Sequence, residues 1–192
     1  NMPGTSASYD YVTSAETQRP KPAALNSRQL TAELGKAREL PELLRLHQRH
    51  GHRFDHFNIN AFWSKFKKLP RGELSGLYEC LAPVCEQTVR MLPELGARTV
   101  ANVAHAFAKA RLVGTGPWQT VWAALPEAAL RSLGDFDPQN LSNTAWAFAS
   151  VGHAATELFV AISAMAVRRR LDGFKEQELS NMAWAFATAC HA

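Results

Sequence analysis

The chain has 192 residues, of which 46% are hydrophobic and 20% are charged, and its net charge is +4. This balance excludes an intrinsically disordered protein, and no apolar run approaches the roughly 18 residues of a membrane span. The mild excess of basic residues is compatible with a polyanionic partner but does not require one.

The chain divides into two parts by composition. Residues 1–27 are rich in Ser, Thr, Ala and Pro and carry no apolar periodicity or signal-peptide core. They predict an extended polar N-terminal arm. Residues 28–192 predict a helical-repeat region of about three to four repeats, the last one incomplete.

The three cysteines, Cys80, Cys85 and Cys190, make an odd number without framework spacing, which favours a reducing compartment. The spacing of Cys80 and Cys85 fits neither a redox motif nor a zinc pair. We therefore expect both to be buried thiols.

Before the first full repeat, the segment from Leu30 to about His50 is amphipathic, with Leu40, Leu43, Leu44 and His47 on one side. It predicts a single helix, either the N-terminal cap of the array or the end of an earlier repeat.

An internal repeat is the strongest pattern in the sequence. FDPQNLSNTAWAFASVG, which begins at Phe136, matches FKEQELSNMAWAFATAC, which begins at Phe174, in a constant register. A weaker copy, LGARTVANVAHAFAKA, begins one period upstream at Leu95 and has His105 in place of the tryptophan. One further period upstream, FDHFNINAFWSKFKKL keeps only the apolar pattern, at Phe54, Ile59 and Phe66.

Each period has room for two helices. In the copy from Phe136, Asp137 is a predicted N-cap, Pro138 suits the first turn, and Gly152 is placed to end the helix. A second helix is predicted from about Ala155 to Leu171, followed by Gly173.

Upstream, second helices are predicted over 73–92 and 117–133, which Pro83 and Pro126 should kink or restart. No alternating β pattern occurs. The predicted fold class is all-α, a right-handed α-solenoid of tandem helix–turn–helix repeats of about 38–41 residues.

The run LSNxAWAFA after FxxxxL resembles the octotricopeptide-type repeats of algal and protist organelle proteins. It also resembles the helical arrays upstream of RAP domains, including those of FAST-kinase-like proteins. The resemblance covers roughly 30–192 and is specific in the last two copies. It implies RNA binding in mitochondria, or less readily in plastids, for RNA processing, translation or organellar ribosome assembly.

No α/β pattern typical of a RAP domain follows, so a nuclease-like activity has no support. A protein-binding scaffold is the alternative function, and a subunit that touches both RNA and protein is a third. Nucleophile motifs, phosphate loops and paired carboxylates are lacking, so we expect no catalysis and no cofactor.

Candidate RNA contacts are the basic residues that end helices. A cluster near the end of one first helix recurs in the next repeat, where Lys109 takes the place of Lys68. Such a column suits a phosphate backbone, although each cation could instead complement its own helix dipole. A second cluster ends a second helix. The candidates are Lys65, Lys67, Lys68, Arg71, Lys109, Arg111, Arg168, Arg169 and Arg170.

Asn102, Asn143 and Asn181 recur in register and could contact a ligand or hydrogen-bond a neighbouring helix. Trp146 and Trp184 could stack on bases, but filling the gap between repeats is the favoured interpretation. The histidines from His47 to His56 lack a completing Cys or carboxylate pattern, so we predict no metal site.

Overall fold

The computed structural model describes residues 25–70 and 79–190. These residues form nine α-helices and contain no β-strand, which confirms the all-α prediction. The helices are α1 (Ser27–Lys36), α2 (Leu40–His50), α3 (His56–Phe66), α4 (Ala82–Met91), α5 (Ala97–Lys109), α6 (Gln119–Ser132), α7 (Pro138–Ser150), α8 (Thr156–Arg168) and α9 (Glu176–Ala189).

The odd-numbered helices pack side by side in chain order: α1 contacts α3, α3 contacts α5, α5 contacts α7, and α7 contacts α9. The even-numbered helices α4, α6 and α8 pack in the same order beside them. Ala104, Ala145 and Ala147 are fully buried in α5 and α7. Their small side chains let neighbouring helices approach closely, which suits the extensive contacts between these helices.

Equivalent positions of the repeat are buried in α3, α5 and α7 but not in α9, where Phe186 is only partly buried and Leu179 is 38% exposed. Phe107 and Phe148 are buried at the end of α5 and α7, as the repeat predicts for core residues. In the upstream copy, which only the apolar pattern indicated, Phe54, Ile59 and Phe66 are also buried. The pattern of large apolar residues therefore located three consecutive first helices.

The ends of α7 follow from local sequence. Asp137 accepts a hydrogen bond at Oδ1 from the backbone N–H of Asn140, 2.7 Å away, and Pro138 occupies the first turn. Gly152 has a φ of 63°, the left-handed conformation that terminates many helices. The predicted N-cap and terminator are both confirmed.

The single helix predicted from Leu30 to His50 is wrong, because the segment forms two helices, α1 and α2. The break lies at Ala37 and Glu39, which have extended ψ angles of 132° and 156°. Pro41 lies in the first turn of α2, where it starts a helix more readily than it continues one.

The second helices match the predicted ones in part. Within the predicted segment 73–92, residues 73–78 lie outside the described residues, and α4 begins at Ala82 with Pro83 in its first turn. Pro126 lies inside α6. The predicted arm is outside the described residues as far as residue 24. None of the described helices combines the length and hydrophobicity that a bilayer-spanning segment needs.

Cys85 is buried in α4 as expected, and burial raises the pKa of its thiol to about 12. The expectation that Cys80 is also buried is wrong. Cys80 lies in the short 3-10 turn Glu79–Leu81, in which Leu81 alone is buried and Cys80 faces solvent.

Candidate nucleic-acid interface

The lysines near the end of α3 point in different directions. Lys65 donates through Nζ to the carbonyl of Gly35 at the end of α1, 2.9 Å away. Lys67 extends to the opposite side, where its Nζ lies 3.2 Å from Nδ1 of His105 in α5. Lys68 is exposed, as is Lys109 at the end of α5. Lys67 and Lys109 are therefore the two predicted lysines that face one shared depression of the surface.

That depression, which we call the polar groove, has a volume of about 420 Å³ and crosses α5, α7 and α9. Its four cations form no ion pair with any carboxylate of the described residues. The single carboxylate, that of Glu178, accepts a hydrogen bond from the backbone N–H of Lys175, 2.9 Å away. The lining side chains are Lys67, Arg98, Asn102, His105, Lys109, Gln139, Asn140, Ser142, Asn143, Lys175, Gln177, Glu178 and Asn181, with Ala108 in the adjoining part.

The structure brings the three in-register asparagines into this groove. Asn102 donates from Nδ2 to Oδ1 of Asn60, 2.8 Å away in α3, so one member links two helices. Asn143 and Asn181 line the groove and are only partly buried. Asn102 thus hydrogen-bonds a neighbouring helix, as the structural interpretation expects. The amides of Asn143 and Asn181 remain available to a ligand, as the binding interpretation expects.

The pKa of His105 is strongly shifted by its position in the groove. Burial, together with the positive charges of Lys67 and Lys109, lowers its pKa to about 4. Burial also lowers the pKa of Lys67, with Lys68 and Lys109 acting in the same direction. His105 is therefore neutral at pH 7, and its Nδ1 can accept a hydrogen bond from the Lys67 ammonium.

An aromatic row follows the same edge of the helices. The ring centroids of His105 and Trp146 lie 5.3 Å apart, and those of Trp146 and Trp184 lie 6.5 Å apart. Trp146 is partly buried against the core, whereas Trp184 is 47% exposed. The expectation that both tryptophans fill gaps between repeats holds in part for Trp146 and is wrong for Trp184. The ring of Trp184 is accessible because α9 is the last described helix of its row.

Ser142 adds a buried hydroxyl to the wall of the groove. The residue is 1% exposed, and its Oγ has no hydrogen-bond partner among the described residues. A buried hydroxyl without a partner carries a desolvation cost, so a group that could accept or donate a hydrogen bond there would be favoured.

Arg111 lies beside the groove in a left-handed conformation, with a φ of 56°. It occupies the position that Gly152 takes in the next repeat. The N–H of Leu112 donates to the carbonyl of Phe107, 3.0 Å away, as the N–H of His153 does to Phe148. The same turn therefore ends both helices, although only one has the residue that favours it.

The arginines at the end of α8 are not part of the groove. Arg169 donates to the carbonyls of Gly134, at 3.1 Å, and Phe136, and so holds the turn that precedes α7. Arg168 and Arg170 are exposed beside it. Lys67 and Lys109 line the groove, whereas none of these three arginines does. The predicted basic residues therefore form two separated sets, and Arg71 lies outside the described residues.

Sequence reasoning missed Arg98 and Lys175. Gln139 and Gln177 take the position of Arg98 in the two later repeats, so the repeat itself indicated a polar residue at this position. Lys175 stands at the N-cap position of α9, and no sequence signal distinguished it.

No protein-family model matches this sequence. Within residues 25–70 and 79–190, no three His, Cys, Asp or Glu side chains come together as a metal site would require. His47 lies 2.8 Å from Oε1 of Gln87 through its Nε2 and is engaged in linking α2 to α4.

Proposed function

We propose that this protein is a non-catalytic helical-repeat protein that binds single-stranded RNA in the polar groove. The observation that carries the proposal is a set of four cations that have no carboxylate partner within residues 25–70 and 79–190 and that lie among amide side chains on adjacent helices. Lysine and arginine attract phosphates, and amides form hydrogen bonds with base edges. The row containing Trp146 and Trp184 offers rings on which bases can stack.

The repeat supports the architecture that this function needs. Side-by-side packing of successive odd-numbered helices, with the even-numbered helices beside them, is how an α-solenoid of the octotricopeptide type would be built. Continuing the stack carries the groove from one repeat to the next. By the same resemblance, the protein acts in an organelle, the mitochondrion rather than the plastid. Its role there lies in RNA processing, translation or a ribonucleoprotein such as the mitochondrial ribosome.

The test is equilibrium binding of a fluorescently labelled single-stranded RNA of about 12 nucleotides. Affinity should fall steeply between about 50 mM and about 200 mM salt, because bound lysines and arginines displace counterions. A DNA duplex of the same length should bind more weakly, since its bases are unavailable for stacking. Absence of RNA binding, or binding that is indifferent to salt, would contradict the proposal.

A protein-binding scaffold is the second candidate, because the last helix pair exposes apolar side chains. Val160 and Val167 are 63% and 74% exposed on α8, and Val160 also lines an apolar cleft of about 460 Å³ between α8 and α9. Contiguous exposed apolar surface marks interaction sites. A Val160→Glu/Val167→Glu variant that loses co-purifying proteins but keeps RNA affinity would show that this surface serves a protein partner.

A further inference from the structure

His105 stands where the two later repeats have tryptophan, and this replacement places an imidazole beside the lysines of the groove. Its Nδ1 lies 3.2 Å from Nζ of Lys67, which approaches from the end of α3. Lys109 follows one helical turn later in α5 and lines the same groove. The imidazole thus contacts the ammonium group of Lys67 and shares the groove with that of Lys109.

The surroundings of this cluster are dominated by positive charge. The polar groove places titratable or charged groups from three elements around His105, and α7 contributes only neutral polar residues and Trp146. Burial and the two lysines hold the pKa of His105 at about 4, so the ring is neutral and the cluster keeps two charges instead of three. The facing groups are Lys67 from the end of α3, Arg98 and Lys109 from α5, and Lys175 and Glu178 from the N-terminal end of α9, and Lys68 acts on Lys67 from outside the groove.

Two features of the groove favour an anion as its ligand. The cations repel one another without a carboxylate partner among the described residues. The buried Oγ of Ser142, on the wall of the same groove, lacks a hydrogen-bond partner within the described part of the chain. A phosphoryl group suits the cluster, since its several acceptor oxygens can receive hydrogen bonds from more than one ammonium group.

We infer that Lys67, His105 and Lys109 form a phosphate subsite, and that His105 takes up one proton from solvent when the phosphate binds. The inference rests on the proposed function, because the phosphate would belong to the bound RNA backbone. The anion offsets the charge of the two lysines and takes over the hydrogen bond of the Lys67 ammonium, which frees Nδ1 of His105. The imidazolium then becomes favourable, and its Nδ1–H donates to a phosphate oxygen. Affinity then rises as the pH falls.

The experiment measures proton uptake by calorimetry in two buffers of different ionisation enthalpy, at about pH 5.5 and about pH 7.5. The ligands are a single-stranded RNA of about 12 nucleotides and dimethyl phosphate, whose charge is constant over this range. If the bound phosphate returns the pKa of His105 to its ordinary value of 6.5, RNA affinity should be about tenfold higher at the lower pH than at the higher pH. Binding at the lower pH should take up close to one proton. His105→Gln should abolish both the pH dependence of affinity and the proton uptake. His52→Gln, which removes an exposed histidine outside the groove, should keep both effects.

An NMR titration of the His105 ring in the unaltered protein covers the case in which the variant does not fold. A rise in its pKa on adding dimethyl phosphate supports the subsite, whether or not RNA binds. RNA binding with a normal salt dependence but no proton uptake overturns the subsite and leaves the proposed function standing. If neither RNA nor dimethyl phosphate changes the ring signal or releases heat, both are overturned.

Discussion

Asn102 on α5 donates a hydrogen bond to Asn60 on α3 across 2.8 Å, so a side chain of the repeated asparagine column joins two neighbouring helices. Asn143, its equivalent on α7, forms no side-chain hydrogen bond within the described residues and lines the polar groove. The same position of the repeat therefore lies in a helix–helix contact in α5 and in the groove wall in α7.

Replacing these two asparagines by alanine should separate stability from binding. Asn102→Ala should lower the free energy of unfolding by about 1 kcal/mol, because it leaves the Asn60 amide without its partner. Asn143→Ala should leave stability within about 0.5 kcal/mol of the parent and weaken RNA binding. Urea unfolding and RNA titration check the pair, and equal loss of stability in both variants would show that Asn143 is also structural.

The two tryptophans of the aromatic row should also differ. Trp184→Ala should weaken RNA binding by about 1–3 kcal/mol per stacked base while changing stability little, because its ring is half exposed. Trp146→Ala should lower stability by about 2 kcal/mol as well, since its ring packs partly against the core. Trp184→Phe keeps an aromatic face and should restore most of the affinity. A Trp184→Ala variant with unchanged RNA affinity would show that no base of the RNA stacks on this ring.

Arg111→Gly should raise the free energy of unfolding by about 1 kcal/mol, because glycine adopts the left-handed conformation without a Cβ penalty. The matched variant is Gly152→Ala at the equivalent turn. It should lower stability by a similar amount, although a Cβ there meets no atom within 4 Å. Chemical denaturation measures both. Destabilisation by Arg111→Gly would mean that the arginine side chain contributes more than its backbone costs.

The stability of the protein should fall as the pH is lowered. The folded protein holds the pKa of His105 at about 4, below the ordinary value of 6.5, so the unfolded chain binds more protons between these values. The free energy of unfolding should therefore be constant near pH 7 and decrease below about 6.5. The pKa of His47 is lowered as well, chiefly by burial, and acts in the same direction.

His105→Gln tests this dependence, because it removes one of the two histidines. Its unfolding free energy should decrease less steeply with falling pH. Around pH 5, the slope should correspond to close to one proton fewer taken up on unfolding than in the parent. Urea unfolding at a series of pH values gives the slope. Identical slopes for variant and parent would place the pKa of His105 near its ordinary value in the folded protein.

Local signals in the sequence predicted much of the fold. Asp137, Pro138 and Gly152 marked the ends of α7, because capping depends on residues within one turn. The buried positions at Phe107 and Phe148 followed from the repeat. The break between α1 and α2 was missed because the leucine pattern continues across it, while Pro41 starts a new helix there.

The candidate site was less predictable, since the direction of a long side chain depends on its neighbours in space. Lys65 and Lys67 are close in sequence, yet one binds a carbonyl of α1 and the other meets His105 of α5. Arg169 likewise serves a turn that lies 33 residues upstream of it. Sequence patterns identified cations at helix ends. Which of these cations face the groove is decided by the packing of the helices.

The most direct test of RNA binding in the polar groove compares two double variants over a range of salt concentrations. Lys67→Gln/Lys109→Gln removes two groove cations, and Arg168→Gln/Arg170→Gln removes two exposed cations that do not line the groove. The first should weaken binding to all single-stranded RNA sequences and reduce the slope of log affinity against log salt by about 1.4, while the second should match the parent. An unchanged slope in the first variant, or a larger loss in the second, would contradict the account and place the RNA elsewhere.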